Sequence, residues 1–135
     1  VESQKIADKE ERMSFLEDAM LDDIDPKLRN RFVPYIQLHE FEALLFSEQE
    51  VFDNSFEKNE FLDYNYLVET IKKNSNPEMI NDGNETAPSK RLAKIIKDYS
   101  KVVYGSMLTH DIGLDKIRSK CSRFNNWILK LENIQ

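Results

Sequence analysis

One extended segment in a chain otherwise punctuated as helix sets the strongest limit on the fold. Residues 31–39, Arg31-Phe-Val-Pro-Tyr-Ile-Gln-Leu-His39, are rich in the β-branched and aromatic residues that suit a pleated, half-buried surface. A lone strand cannot satisfy its own backbone hydrogen bonds. It therefore requires a strand that the pattern does not reveal, a second chain, or a further part of a longer protein. Pro34 lacks an N–H, which confines it to the start, an edge or a bulge of that strand.

Elsewhere the periodicity is helical. Ile6, Met13, Leu16 and Met20 recur at helical spacing and predict a helix over residues 4–22, closed by Asp22, Asp23, Asp25 and Pro26. Ser47-Glu-Gln-Glu50 has the form of a capping box opening a short helix near Glu48. Tyr66, Leu67, Thr70 and Ile71 define the next helix, ending near Asn74. Asn76-Pro77 places a cap before a proline, which opens one short turn. Thr86-Ala-Pro88 begins a helix burying Leu92, Ile95, Ile96 and Tyr99. Gly105 and Gly113 read as breaks around short helices at 106–111 and 114–120. Phe124, Trp127, Ile128 and Leu131 share one face of the last helix. The expected fold is an α-rich α/β domain with one clear strand (residues 31–39) and about six or seven helices. No linker or repeat marks an internal boundary within residues 1–135.

Composition narrows the class. The chain has 135 residues, with 40% hydrophobic and 33% charged, and a mean hydropathy of -0.62. That excludes a helical membrane protein, and the aromatic content argues against disorder. The single cysteine, Cys121, excludes a disulfide framework or a Cys-based zinc cluster and suits a reducing cytoplasm. The polar N-terminal residues do not form a signal peptide. Charge is unevenly spread. Residues 1–60 carry 16 acidic and 7 basic side chains, whereas residues 86–130 carry 3 acidic and 10 basic. Such a split is either two solvated faces or an acidic site opposed to a phosphate-binding surface.

The densest functional cluster is His39-Glu40-Phe41-Glu42. If the strand continues, alternation puts Glu40 and Glu42 on one side, and two carboxylates suit a hard divalent cation such as Mg2+. The alternative is that these acids open a helix, where negative charge favours the N-terminal dipole. Asp23-Ile-Asp25 matches a metal-site pattern but trails a helix, and reads as its end. Lys90, Lys94, Lys97 and Lys101 line one helical stripe, with Arg91 beside them, as a phosphate-binding row or as a merely solvated face. Ser89 at the helix start would add free N–H groups for a phosphate. Lys116, Lys120 and Arg123 form a shorter row. His110-Asp111 has no nucleophile to serve, and Cys121 reads as a core residue. No glycine-rich loop supports a P-loop or Rossmann nucleotide site.

The string Arg31-Phe-Val-Pro-Tyr-Ile-Gln-Leu-His-Glu-Phe-Glu-Ala-Leu-Leu-Phe-Ser47 resembles the bacterial family designated domain of unknown function 4276. Three more blocks look like the same family: Pro77-Glu-Met-Ile-Asn-Asp82 running into Glu85-Thr-Ala-Pro-Ser-Lys-Arg-Leu92; Ile112-Gly-Leu-Asp-Lys-Ile-Arg118; and Lys120-Cys-Ser-Arg-Phe-Asn-Asn-Trp127. The resemblance implies a Toprim-like α/β fold and a metal-dependent nuclease acting on nucleic acid phosphodiesters. It also suggests a partner ATPase in bacterial phage-defence or mobile-element settings. The family's expected acidic strands lie before residue 31, and nothing there reads as a strand, so the chain is expected to be the C-terminal portion of a longer protein and inactive alone. Glu42 looks like the position that approaches the metal, with Glu40 a weaker candidate and His39 weaker still. Pro88-Ser-Lys-Arg91 is a family signature, whose phosphate-binding role with Lys90, Arg91, Lys94 and Lys97 is inferred from charge and helix position. A non-catalytic domain docking onto an ATPase is the competing expectation.

Overall fold

The structure is a computed structural model that describes residues 2–81 and 83–134. Among those residues it contains seven α-helices: α1 (Lys9–Asp23), α2 (Gln49–Ser55), α3 (Tyr64–Lys73), α4 (Pro88–Ile95), α5 (Ser106–Ile112), α6 (Leu114–Lys120) and α7 (Ser122–Glu132). Short 3-10 turns and one π-helical turn, Lys101–Gly105, join them. None of the helices is long and apolar enough to cross a membrane.

The expected strand is absent, and with it the α/β class. No strand occurs among the described residues, and the one β-bridge joins Phe61 to Ile96. Residues 32–37 carry no regular secondary structure, and side chains meet their backbone instead of a neighbouring strand. The Ile36 amide donates to Glu17 Oε1 at 2.8 Å, and Trp127 Nε1 donates to the Val33 carbonyl at 3.3 Å. Tyr35 stacks on Trp127 with ring centroids 4.9 Å apart. The orphan segment thus finds hydrogen-bond partners without a sheet.

Contacts divide the chain into two compact units. The first comprises residues 1–38 and 126–135. Its helix α1 starts later than its periodicity suggests, because Asp8 caps it by accepting from the Glu11 amide at 2.8 Å. It ends at Asp23, where Arg29 donates to the carbonyls of Asp22 and Ile24 and neutralises the helix's C-terminal end. Asp25 accepts from the Lys27 amide, so Asp23 and Asp25 terminate a helix and gather no ligand set.

The second unit, residues 39–125, holds the larger core. At its centre lies the 3-10 segment Phe41–Ser47, with Ala43, Leu45 and Phe46 essentially without solvent contact. Seven residues is long for a 3-10 helix, whose hydrogen bonds are poorer than those of an α-helix. Phe52, Leu67, Ile80, Leu92, Ile95, Leu108, Ile117 and Cys121 pack around it. The capping box expected at Ser47 does not form: the Ser47 hydroxyl donates back to the Leu44 carbonyl at 2.7 Å, and Glu48 occupies the cap position. Asp63 caps α3, and Asn76 caps the 3-10 turn Pro77–Met79.

Gly105 does not break the chain. It has helical φ of -60° and joins the π-helical turn directly to α5. Gly113 does break it, with φ of 76° and ψ of 154° between α5 and α6, a conformation that side chains disfavour.

A candidate anionic site at Glu42

Two glutamates of the second unit are wholly buried, and their surroundings differ in kind. Glu78 lies in the turn before residue 80, and its two carboxylate oxygens accept from the amides of Arg123 and Phe124 at 2.9 and 3.0 Å. Those amides belong to the first turn of α7, where N–H groups lack helical partners and the dipole favours negative charge. Glu78 is therefore a buried helix cap. It ties the Pro77-Glu-Met block to the Cys121-Ser-Arg-Phe124 block, a role the sequence reading missed because the two partners are 45 residues apart.

Glu42 has no such partners. It sits in the first turn of the 3-10 segment, so the strand alternation expected for Glu40 and Glu42 does not apply. Neither carboxylate oxygen is hydrogen-bonded. Lys101 Nζ lies 3.1 Å from Oε1, a charge contact without the alignment of a hydrogen bond. The pair is lopsided: the Glu42 side chain is 1% exposed and that of Lys101 is 62% exposed. The Tyr99 hydroxyl is also buried without a hydrogen bond. Burial, followed by the charges of Glu42 and Glu40, pushes its phenol well above the ordinary range. A Cβ added at Gly105 would meet Tyr99 Oη and a ring carbon of Phe41 at 3.6 Å, which places that glycine against the same group of side chains.

Glu40 plays a different part. Its Oε2 accepts from the Ser89 amide at 2.8 Å, in the first turn of α4. Burial pushes its carboxyl upward, but the Ser89 side chain and backbone, then Lys101 and Lys90, outweigh that effect and leave it below the ordinary value. The amide expected to meet a phosphate at Ser89 is thus occupied by Glu40. His39 Nδ1 is 3.3 Å from Asn81 Nδ2.

The lysine stripe does not survive folding. Helix α4 ends at Ile95, Ile96 is extended, and Asp98 has φ of 53°. Lys97 consequently leaves the helical register, with its amide donating to the Glu60 carbonyl. Lys90 and Lys94 remain exposed on α4, and Lys94 Nζ donates to the Glu85 carbonyl. Arg91 faces inward instead of flanking them. It is 9% exposed, donates to the Thr86 carbonyl, Tyr66 Oη and Thr70 Oγ1, and stacks over the Tyr66 ring at 5.4 Å. In the shorter row, Lys116 pairs with Glu48.

Cys121 is fully buried, with Sγ 3.6 Å from Ser47 Oγ. Burial pushes its thiol up to about 11, with Ser47 opposing and the Glu78 charge adding to the rise.

Such contacts join parts of three of the four sequence blocks within this unit, and a family model with the description "Domain of unknown function (DUF4276)" matches residues 2–132. The chain belongs to that family. No curated protein and no solved structure matches it. Within the DUF4276 chain, Glu40 links the block at 31–47 to Pro88-Ser-Lys-Arg91, and Glu78 links two others. These two acids have structural duties. Glu42 is the buried acid that lacks one.

The fit of a divalent cation follows from that contrast. No group of three or more His, Cys, Asp or Glu side chains converges among the described residues. Mg2+ commonly makes do with one or two carboxylates and completes its shell with water and phosphate oxygens. Glu42 supplies one such carboxylate, already in contact with Lys101, and Glu40 adds negative charge nearby.

Proposed function

We propose that this chain contributes Glu42 to a Mg2+-dependent site acting on nucleic acid phosphodiesters, within a Toprim-like nuclease of bacterial defence or mobile elements. One observation carries the reading: a fully buried carboxylate without a hydrogen bond, beside an exposed lysine. Burying a carboxylate costs several kcal/mol in general, a cost that Lys101 offsets in part and a bound cation would offset further. Glu42 would hold the ion, and Glu40 would add to the negative field from its place at the start of α4. When bound, Mg2+ would polarise the phosphodiester and lower the pKa of its water. Lys90 and Lys94 on α4, with Lys97 beyond its end, would attract and position the backbone by charge alone. Arg91, turned inward, serves the fold.

The test is cleavage of DNA and RNA by the complete natural protein with Mg2+ or Mn2+, wild type against Glu42→Gln. Loss of cleavage in the variant, with folding intact, is expected. Cleavage that survives the substitution refutes the role of Glu42. A second reading, docking onto a partner ATPase, is favoured by Val102 and Val103, which are 82% and 60% exposed beside Lys101. It prevails if no cleavage occurs while Val102→Ser with Val103→Ser abolishes co-purification with the ATPase.

A further inference from the structure

We propose that a recess between α2 and α3 receives an arginine side chain of a partner protein, whose guanidinium packs on the aromatic wall of Phe61 and Tyr64 and pairs with Asp53. The inference does not rest on the reading of Glu42, which is not among the residues lining this recess.

The recess has a volume of about 480 Å3 and is lined by Asp53, Phe56, Lys58, Phe61 and Tyr64. Clefts that bind small ligands commonly measure roughly 300–1,000 Å3. Its apolar lining is aromatic and steeply angled. Phe61 packs edge-to-face with Phe56, with centroids 5.9 Å apart and planes at 70°, and with Tyr64, at 5.1 Å and 84°. Phe56 is 6% exposed and Tyr64 38% exposed, so the lining runs from a buried floor to an open rim. Aromatic faces attract a cation placed within about 6 Å of the ring centroid.

Backbone hydrogen bonds hold the recess in shape before any guest arrives. Glu57 and Glu60 form a capping box across the 3-10 turn Lys58–Glu60, with the Glu57 amide donating to Glu60 Oε2 at 2.7 Å. The Leu62 amide donates to the Ile95 carbonyl at 2.8 Å, and the Lys97 amide donates to the Glu60 carbonyl at 2.9 Å. These bonds flank Phe61, which also makes the β-bridge to Ile96. On the other side, Asp63 caps α3 and fixes the start of the helix that carries Tyr64. A preformed site spends less of its binding energy on ordering side chains.

Charge selects the guest. The Tyr64 hydroxyl donates to Asp53 Oδ1 at 2.8 Å and accepts from Gln49 Nε2 at 3.0 Å. This chain of bonds sets the carboxylate beside the aromatic rim, with Oδ2 left open to a further donor among the described residues. Glu50, Glu57 and Glu60 surround it, and Lys58 is the one basic residue between positions 48 and 63. Lys58 is exposed, and the cation seated over a ring is Arg91 on Tyr66, outside this recess. An acidic surround repels a phosphate-bearing guest and favours a cation. A metal ion would meet one carboxylate and apolar walls. Guanidinium matches both halves of the site, because it stacks on aromatic rings, is weakly hydrated, and offers a planar fork to a carboxylate. Leu62, next to Phe61 in the chain, is 61% exposed and adds apolar surface for a protein partner to cover. Arginine anchors seated in such pockets carry much of the energy of many interfaces.

The test titrates N-acetyl-arginine amide into the complete natural protein and follows backbone amide shifts by 15N NMR. N-acetyl-citrulline amide, N-acetyl-lysine amide and adenosine monophosphate serve as comparison ligands. The expected result is saturable shifts centred on Asp53, Phe61 and Tyr64. Citrulline keeps the shape of arginine without its charge and should bind about tenfold more weakly, as should arginine to Asp53→Asn. Phe61→Leu, which keeps apolar bulk but removes the ring, should weaken binding about threefold. The ligand comparison uses wild type alone, so it decides even if a variant fails to fold. Citrulline or lysine binding as well as arginine overturns the proposal. Tighter binding of adenosine monophosphate at the same residues overturns it too, in favour of a nucleobase pocket. So does the lack of any saturable shift there at about 50 mM arginine probe.

Discussion

The two buried glutamates make opposite predictions for one substitution. Methionine matches glutamate in length, has no charge and packs readily into irregular apolar space. At Glu42 it removes a carboxylate without hydrogen bonds and leaves Lys101, already 62% exposed, to be solvated. Replacing both members of a buried ion pair by apolar side chains is often stabilising by about 1–4 kcal/mol, and the penalty for leaving one charge behind is avoided here because Lys101 is exposed to water. Glu42→Met should therefore raise stability, and at roughly 3–5 °C per kcal/mol for a chain of this size the gain is visible in Tm. At Glu78 the same change removes the acceptor of two α7 amides. Hydrogen bonds to charged groups contribute about 1.5–3 kcal/mol each, so Glu78→Met should lose about 3–6 kcal/mol. Urea denaturation followed by far-UV circular dichroism compares both variants with wild type in metal-free buffer. If Glu42→Met loses as much stability as Glu78→Met, then Glu42 is a structural acid and the reasoning behind the site is refuted.

Further predictions concern the rest of the unit. Cys121, with its thiol pushed up to about 11 by burial, should resist a thiol reagent such as DTNB at pH 8 in the native protein and react rapidly in denaturant. Fast native labelling contradicts its burial. Gly113→Ala should cost about 1–3 kcal/mol from backbone conformation alone, since an added Cβ meets nothing within 4 Å; an unchanged denaturation midpoint would show that this turn relaxes. The Lys116 contact, then opposed by burial, holds the Glu48 carboxyl below its ordinary value. Its stabilising effect is present above the unfolded-state pKa and lost as pH falls through the lower folded value, so Lys116→Met should reduce stability at pH 7 and converge with wild type in acid. Neutralising Lys90, Lys94 and Lys97 should lessen the salt dependence of nucleic-acid binding by about one unit of slope for each phosphate they neutralise. An unchanged slope removes them from the interface.

The helices were largely legible because their signals are local. Asn76 caps a turn, Pro88 starts a helix, and Gly113 stops one, through chemistry contained within a single turn. Residues 31–39 misled for the complementary reason. Their β-branched and aromatic composition favours a strand, but it does not say whether a strand or side chains such as Glu17 and Trp127 will meet that backbone. The lysine stripe failed at Ile96, where pairing with Phe61 ends the helix, an event set by a residue 35 positions away. Arg91 looked like its exposed lysine neighbours because helical spacing alone does not show which side of α4 meets Tyr66 and Thr70.

For the candidate site, sequence pointed to the acids around residue 40 but did not sort them. Glu40 reaches the Ser89 amide 49 residues on, Glu78 reaches α7, and Glu42 reaches no amide at all. Those distinctions are tertiary, since nothing in His-Glu-Phe-Glu separates a capping carboxylate from an unsatisfied one. Lys101 stood in the sequence as the fourth member of a phosphate row. The break after Ile95 makes it the counter-charge of Glu42 instead.

Crystals of the complete protein soaked in Mn2+ offer the most direct trial, because anomalous scattering locates the ion without assuming any activity. The account predicts a peak at coordination distance from a Glu42 carboxylate oxygen. An empty Glu42 beside a fully occupied manganese site elsewhere would contradict it.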